Sequence, residues 1–293
     1  MLRFGAAFTA QRATACLGLT LAATAAYASQ SFATSTQTTV ALSPKEWREF
    51  PVSEVHTLSH DTKMFKIQLP SSKHETGLET ASCLLVQGTG LDGKPTVRPY
   101  TPTTLNKTLG HFDLVIKRYP EGNVSSYMHG LKPGDKLMVK GPFPKLKVTP
   151  NMKRNIGMIA GGTGITPMYQ CILELLDASD DATNITLLFG NRTPSDILLK
   201  AELDALAATH PRFKLVYIVD KPDSSWKGLS GYITANEIQK YMPPPSADNM
   251  VFVCGPPPLM KSISGDKAKD KSQGPLEGAL KACGFTEEMV YKF

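Results

Sequence analysis

Two short segments of this chain carry side chains and turns suited to holding phosphate. Arg98-Pro99-Tyr100-Thr101-Pro102-Thr103 offers a fixed cation and hydroxyls along an extended stretch. Further on, Gly161-Gly162-Thr163-Gly164-Ile165-Thr166-Pro167 is a glycine turn of the kind that opens a helix. A guanidinium suits a diphosphate because its fork is planar, permanently charged and able to make bidentate contacts. The free amides and dipole at a helix start attract an anion in the same way. On a strand, Arg98, Tyr100 and Pro102 point to one face and Thr101 to the other unless a bulge re-aims it. Near the end, Cys254-Gly255-Pro256-Pro257-Pro258 adds a lone thiol, and Asp220 closes the apolar run Val216-Tyr217-Ile218-Val219. A carboxylate at such a strand end accepts hydrogen bonds from a ribose 2'-hydroxyl and repels a 2'-phosphate, whereas Arg192 nearby would tolerate one.

The same residues also fit plainer readings. Arg98 could be an ordinary surface arginine, Asp220 a solvated turn residue beside Lys221-Pro222, and Cys254 a packing residue. The glycine turn departs from the GxGxxG dinucleotide fingerprint, so by itself it marks a tight strand-to-helix corner as readily as a phosphate site. No histidine stands at a suggestive spacing from Cys254. That argues against a nucleophilic cysteine.

The elements that must position these residues fall into two groups. Residues 51–58, 62–69, 81–87, 96–101, 112–119 and 136–141 read as short strands with apolar residues spaced by two, separated by turns such as Asp92-Gly93 and Pro133-Gly134-Asp135. With one helix over 124–131, they predict a six-stranded antiparallel barrel. From residue 156 the pattern changes to strand alternating with helix. Strands are expected over 156–160, 185–190, 214–220 and 250–254, and helices over 166–178, 196–208, 234–241 and 257–263. This predicts a doubly wound parallel α/β domain with its ligands at the carboxyl ends of the strands, where the glycine turn, Asp220 and Cys254 all fall. The domains are expected over 45–148 and 156–293, with a linker at 149–155.

A length of 293 residues suits two domains, and 41% apolar with 20% charged residues suits ordinary globular cores. The net charge of +6 comes without an aromatic-studded basic stripe, which argues against a nucleic-acid partner. The cysteines, Cys16, Cys83, Cys171, Cys254 and Cys283, are scattered, so reduced thiols are expected and a metal or iron-sulfur site is not. Residues 1–44 hold Arg3 and Arg12 but no acid, and an apolar run over 13–28 falls short of the roughly twenty residues that span a bilayer. A mitochondrial presequence with membrane anchor, a secretory signal ending near Ala26-Tyr27-Ala28, and a disordered tail all fit.

In order and spacing, these motifs resemble the ferredoxin-NADP reductase superfamily and, within it, the NADH-cytochrome b5 reductases, over about residues 46–293. The tail and the ending Val290-Tyr291-Lys292-Phe293 look most like the fungal mitochondrial form. The resemblance implies an FAD-binding barrel followed by an NADH-binding domain. Hydride would pass from NADH to FAD N5, and two single electrons would follow to cytochrome b5 or a similar acidic haem protein. It implies that Arg98 binds the FAD pyrophosphate, that Pro99 and Tyr100 belong to the flavin motif with the tyrosine against the ring, and that the Thr101 hydroxyl approaches N5. Val115, Ile116, Lys117 and Tyr119 would form the next flavin strand. Gly122, Val124 and Ser125 would form a phosphate turn, with Asn123 where lysine is often found. Gly161, Gly162, Thr163, Gly164, Thr166 and Pro167 would hold the nicotinamide cofactor, Asp220 its ribose, and Gly255 and Pro256 its nicotinamide end. Cys254 would aim the hydride, and Phe293 would lie near the flavin. The resemblance further implies a monomer at the mitochondrial outer membrane or in the intermembrane space, attached through its N-terminal segment. Lys136, Lys140, Lys145, Lys147, Lys153 and Arg154 form a basic stretch suited to an acidic partner. A flavin reductase module serving another haem or iron-sulfur acceptor, and a nucleotide-binding scaffold without turnover, are the alternative readings.

Overall fold

The computed structural model describes residues 39–90 and 92–293, and residues 1–38 of the expected targeting and anchoring segment lie outside them. Among the described residues no helix is long and apolar enough to cross a membrane. The first lobe contains β1 (Thr39–Val40), β2 (Arg48–Ser59), β3 (Thr62–Gln68), β4 (His74–Glu75), β5 (Cys83–Thr89), β6 (Pro95–Tyr100), β7 (His111–Lys117), α1 (Asn123–Gly130) and β8 (Lys136–Phe143). Six of the strands form an antiparallel sheet in the order β6-β5-β8-β2-β3-β7. Alternation does the work here. Phe65 and Ile67 of β3 and Phe112, Leu114 and Ile116 of β7 are fully buried in one core, together with Val124 and Met128 of α1. The helix packs against β5, β6 and β7, covering the seam between the sheet's two edge strands.

The second lobe contains β9 (Asn155–Gly161), α2 (Ile165–Asp177), β10 (Asn184–Asn191), α3 (Lys200–Thr209), β11 (Phe213–Val219), β12 (Leu229–Ser230), α4 (Ala235–Tyr241), β13 (Asn249–Cys254), α5 (Pro257–Ile263), α6 (Gly278–Ala282) and β14 (Val290–Lys292). All its strand pairings are parallel, in the order β12-β11-β10-β9-β13-β14. Chain order therefore runs outward from β9 in one direction and resumes on its other side with β13. The crevice at the carboxyl ends of β9 and β13 is the topological switch point, where parallel sheets of this kind bind ligands.

Three expectations shift. The helix expected over 196–208 starts at Lys200, because Thr193 and Asp196 close a capping box on a short turn and Leu199 adopts φ 54°, which breaks the helical path. The expected barrel start at residue 45 moves back to Thr39. There β1 pairs with β4, Ala41 and Leu42 are buried in the barrel core, and the Gly141 N–H donates to the Ser43 carbonyl at 3.0 Å. The sequence also hid β14, which adds the sheet's last strand.

The lobes share apolar contacts. Val115 points away from the barrel core and is buried with Ala81 in the cluster that fills one face of the second sheet. A chain beginning at Thr39 keeps every contact described above and is expected to fold, take up flavin and reduce ferricyanide fully. One beginning at Lys45 loses the Leu42 side chain from the core and is expected to lose about 2–5 kcal/mol, read as a lower urea midpoint. Equal midpoints for the two would detach residues 39–44 from the barrel.

Candidate functional site

The site is built where β9 and β13 end. Cys254 pairs in register with Ala160, so the turn after β9 lies directly against Cys254-Gly255. At Gly164 a Cβ would run into the Cys254 carbonyl carbon and oxygen, so only glycine allows the two backbones to approach this closely. Gly162 adopts φ +52°, and nothing lies within 4 Å of where its Cβ would be, so the turn keeps an open side. Gly161, Gly164, Thr166 and Pro167 are buried, and the Thr166 hydroxyl donates to the Thr163 carbonyl at 3.2 Å. Thr166 thus fastens the turn. No side chain caps the start of α2, which leaves its first turn suited to a phosphate.

In the first lobe, Arg98 and Tyr100 lie opposite Val86 and Leu84, so both face the inner side of the sheet, toward α1. Arg98 is exposed, makes no ion pair among the described residues and donates only to the neighbouring Val97 carbonyl, at 2.8 Å. Burial pushes the Tyr100 phenol up to about 12 against the pull of Arg98, so it stays a hydrogen-bond donor. Pro99 is exposed, and Thr101, just past the strand, is half-buried with no hydrogen bond to its hydroxyl among the described residues. Tyr119 is 47% exposed and so leaves apolar surface that a ligand can cover. α1 also starts without a side-chain cap. Ser125 has a structural duty there: its hydroxyl donates to the Gly122 carbonyl at 3.1 Å and accepts the Tyr119 N–H at 3.2 Å, shaping the turn at Gly122. Val124 supports that turn from the core.

Lys117 is more committed than its sequence position suggests. Its ammonium lies 2.7 Å from Asp61 and 3.9 Å from Asp196, which belongs to the second lobe, and His60 adjoins both carboxylates. Burial works against the Asp61 charge, but hydrogen bonds from Lys117, Thr62 and Ser59 hold its carboxyl below the usual range. The three ligating groups of His60, Asp61 and Asp196 come together, and the Lys117 ammonium already lies between the two carboxylates. Sequence reasoning missed this junction because its members are far apart in the chain.

Burial lifts the Cys254 thiol up to about 12, offset in part by Lys267, so it is neutral at ordinary pH. A neutral thiol without a base can orient a ligand and cannot attack it. Beside it, the Phe293 N–H donates to the Val253 carbonyl at 3.0 Å, and its ring packs edge-on to Phe252 and Tyr291. That end of the chain is gripped firmly. The Lys267 ammonium and the Gln273 side chain both donate to the Lys292 carbonyl, at 2.9 and 3.0 Å. Lys292, 2% exposed, donates its own ammonium to the Asp266 and Pro275 carbonyls. The Tyr291 hydroxyl crosses to the first lobe and donates to the Lys145 carbonyl at 2.6 Å.

Asp220 lies at the end of β11, two strands from β9 and therefore roughly 10 Å away in the sheet. Desolvation raises its pKa, while Lys221 and Arg192 lower it. The Asp220 N–H donates to the Asn191 carbonyl, which ties together the ends of β10 and β11. Two uncapped helix starts, an unpaired guanidinium and an open glycine turn fit two nucleotide cofactors, one per lobe.

Comparison with known proteins agrees with that geometry. Residues 49–148 match the oxidoreductase FAD-binding domain family and residues 158–265 the oxidoreductase NAD-binding domain family. The chain is 49% identical over 258 residues to an NADH-cytochrome b5 reductase-like protein of Arabidopsis thaliana, covering 86% of this chain and 78% of that one. It is 48% identical over 249 residues to NADH-cytochrome b5 reductase 2 of Scheffersomyces stipitis, covering 85% and 84%. Among solved structures, the cytochrome b5 reductase domain of Ulva prolifera nitrate reductase superposes with a TM-score of 0.76 at 34% identity, covering 87% of this chain and 100% of that one.

Because Arg98 is exposed and bonds only the carbonyl of its neighbour Val97, Arg98→Ala is expected to leave the fold intact. In the expected role at the pyrophosphate, Arg98 would contribute charge-assisted hydrogen bonds worth about 1.5–3 kcal/mol, and the substitution would then lower FAD affinity about ten- to a hundredfold. Flavin released on dilution measures this, and unchanged occupancy would contradict the role.

Proposed function

The chain belongs to the NADH-cytochrome b5 reductases, and from that membership we propose how its own residues move electrons and where they do so. It passes a hydride from NADH to FAD and single electrons onward to cytochrome b5. FAD supplies the conversion of a two-electron donor into one-electron steps. The observation that carries the residue-level reading is the convergence of the glycine turn after β9 and Cys254-Gly255 after β13 at one switch point.

The remaining work of the protein is binding, orientation and exclusion of water. Arg98 and the start of α1 hold the FAD pyrophosphate, with Tyr100 and Tyr119 flanking the cofactor. The turn from Gly161 to Gly164 and the start of α2 hold the NADH pyrophosphate. The Thr101 hydroxyl, left without a protein partner, serves flavin N5. Cys254 presents a neutral thiol to the nicotinamide and takes no part in proton transfer. Asp220 accepts the ribose hydroxyls and disfavours a 2'-phosphate, which selects NADH.

For the acceptor, the basic stretch at the junction of the lobes narrows to a few residues. Lys136 is paired with Glu49, and Lys153 donates to the Ala247 carbonyl. Lys145, Lys147 and Arg154 are exposed and make no ion pair among the described residues. These three would steer an acidic haem protein. The acid-free, arginine-bearing tail supports a chain tethered at the mitochondrial outer membrane or released into the intermembrane space.

Steady-state reduction of cytochrome b5 with NADH and with NADPH tests the activity and the selectivity together. NADH should be strongly preferred, and Asp220→Thr should raise the NADPH to NADH ratio of kcat/KM. An unmoved ratio would shift the assignment to Arg192. Rapid reduction of ferricyanide with none of cytochrome b5 would favour a module serving another acceptor. Fractionation of cells tests the tail: the full chain should sediment with mitochondrial membranes and a chain from Thr39 should not, and equal distribution would remove the anchor.

A further inference from the structure

Gln170 lies on α2, the helix that opens at the glycine turn, and its side chain leaves its own lobe altogether. Its Oε1 accepts the Ala81 N–H at 2.6 Å, and its Nε2 donates to the Pro102 carbonyl at 3.2 Å and the Thr104 carbonyl at 3.3 Å. All three partners are backbone groups of the first lobe. Two of them flank Thr103 in the loop that carries Thr101. The side chain is 1% exposed, so water cannot replace these bonds.

The chemistry of the contact is specific to an amide. One acceptor and two N–H donors meet one N–H and two carbonyls, a demand that neither a carboxylate nor an apolar side chain of similar length meets. The loop on the other side is also fixed: the Thr103 N–H donates to the Asp113 carbonyl at 3.0 Å, and the Asp113 N–H donates to the Thr104 hydroxyl at 3.2 Å. Ala81 sits at φ 65°, a strained conformation for an L residue, and its N–H is turned to Gln170 there. The helix that starts at the nicotinamide turn is thus pinned through one side chain to the loop that starts at the flavin-facing threonine.

We propose that Gln170 is a positioning residue for hydride transfer, setting the separation and tilt of the nicotinamide against the flavin by fixing α2 to the loop at 101–104. The proposal rests on the cofactor assignments above. It touches neither cofactor itself. Hydride transfer needs its reacting atoms held within a few tenths of an ångström, and displacements on the order of 1 Å cost about a hundredfold in rate.

The test uses the FAD-loaded enzyme carrying Gln170→Glu or Gln170→Met. Gln170→Glu keeps an acceptor for Ala81 but loses both donors and faces two carbonyls with lone pairs. Gln170→Met keeps the volume and removes all three bonds, so either variant that folds suffices. Two readouts are taken per flavin-loaded molecule: the long-wavelength charge-transfer absorbance when NAD+ is added to dithionite-reduced enzyme, and the rate of flavin bleaching by saturating NADH in anaerobic stopped flow. The expected result is a weakened band and bleaching about ten- to a hundredfold slower, with the Kd for NADH changed by no more than several-fold. A lower melting temperature with band and bleaching rate as in wild type would make Gln170 a stability residue only and overturn the proposal. Absence of both signals in the wild-type protein would instead remove the cofactor reading, and the proposal with it.

Discussion

The close approach of two backbones at the carboxyl ends of β9 and β13 is the constraint around which this molecule is arranged. Gly164 lies against the Cys254 carbonyl with no room for a side chain, and Gly255 lies against Gly161 from the other side. Because these strands are neighbours in the sheet but far apart in the chain, the contact requires the parallel order that places β9 at the centre. That order creates the crevice. The first lobe packs against this sheet through an apolar contact, with Val115 and Ala81 buried in the second lobe's core cluster.

Electrostatics follows the same plan. Arg98, which makes no ion pair and bonds only its neighbour's carbonyl, and the Thr101 hydroxyl, which makes no hydrogen bond among the described residues, are left available to a ligand. The charges that close one lobe on the other, Lys117 with Asp61 and Asp196, are already paired. Lys117 and Asp61 are half-buried and belong to the same lobe, and it is the 3.9 Å approach of the ammonium to Asp196 that crosses to the other. Its value here is directional: it restricts how the lobes can be oriented.

Much of this was legible in the chain itself. Period-two apolar spacing located the barrel strands to within a few residues, because one face of each is buried against a single core and the other is not. The glycine turn, Cys254 and Asp220 were readable because each sits where a strand ends. What escaped reading has a common cause. Gln170, Gln273 and Lys292 act across long separations on partners that are backbone groups, and a carbonyl carries no mark in a sequence. Lys292 is the extreme case, a lysine that looks like a solvated tail residue and is almost fully enclosed. The false start of α3 is local instead: Asp196 is spent on Thr193, so helical propensity lost to a capping box.

The common core between the lobes has a meaning for descent and for engineering. Two domains joined by a linker can be exchanged between relatives like interchangeable parts, because each arrives with its interior complete. Here neither does. Val115 of the barrel and Ala81 of its loop finish the interior of the other lobe, and Gln170 of the second lobe satisfies three backbone groups of the first. A chimera that takes its two halves from different relatives therefore inherits mismatched surfaces at a seam whose Gln170, Val115 and Ala81 are buried. The natural unit of inheritance, and of design, is the pair.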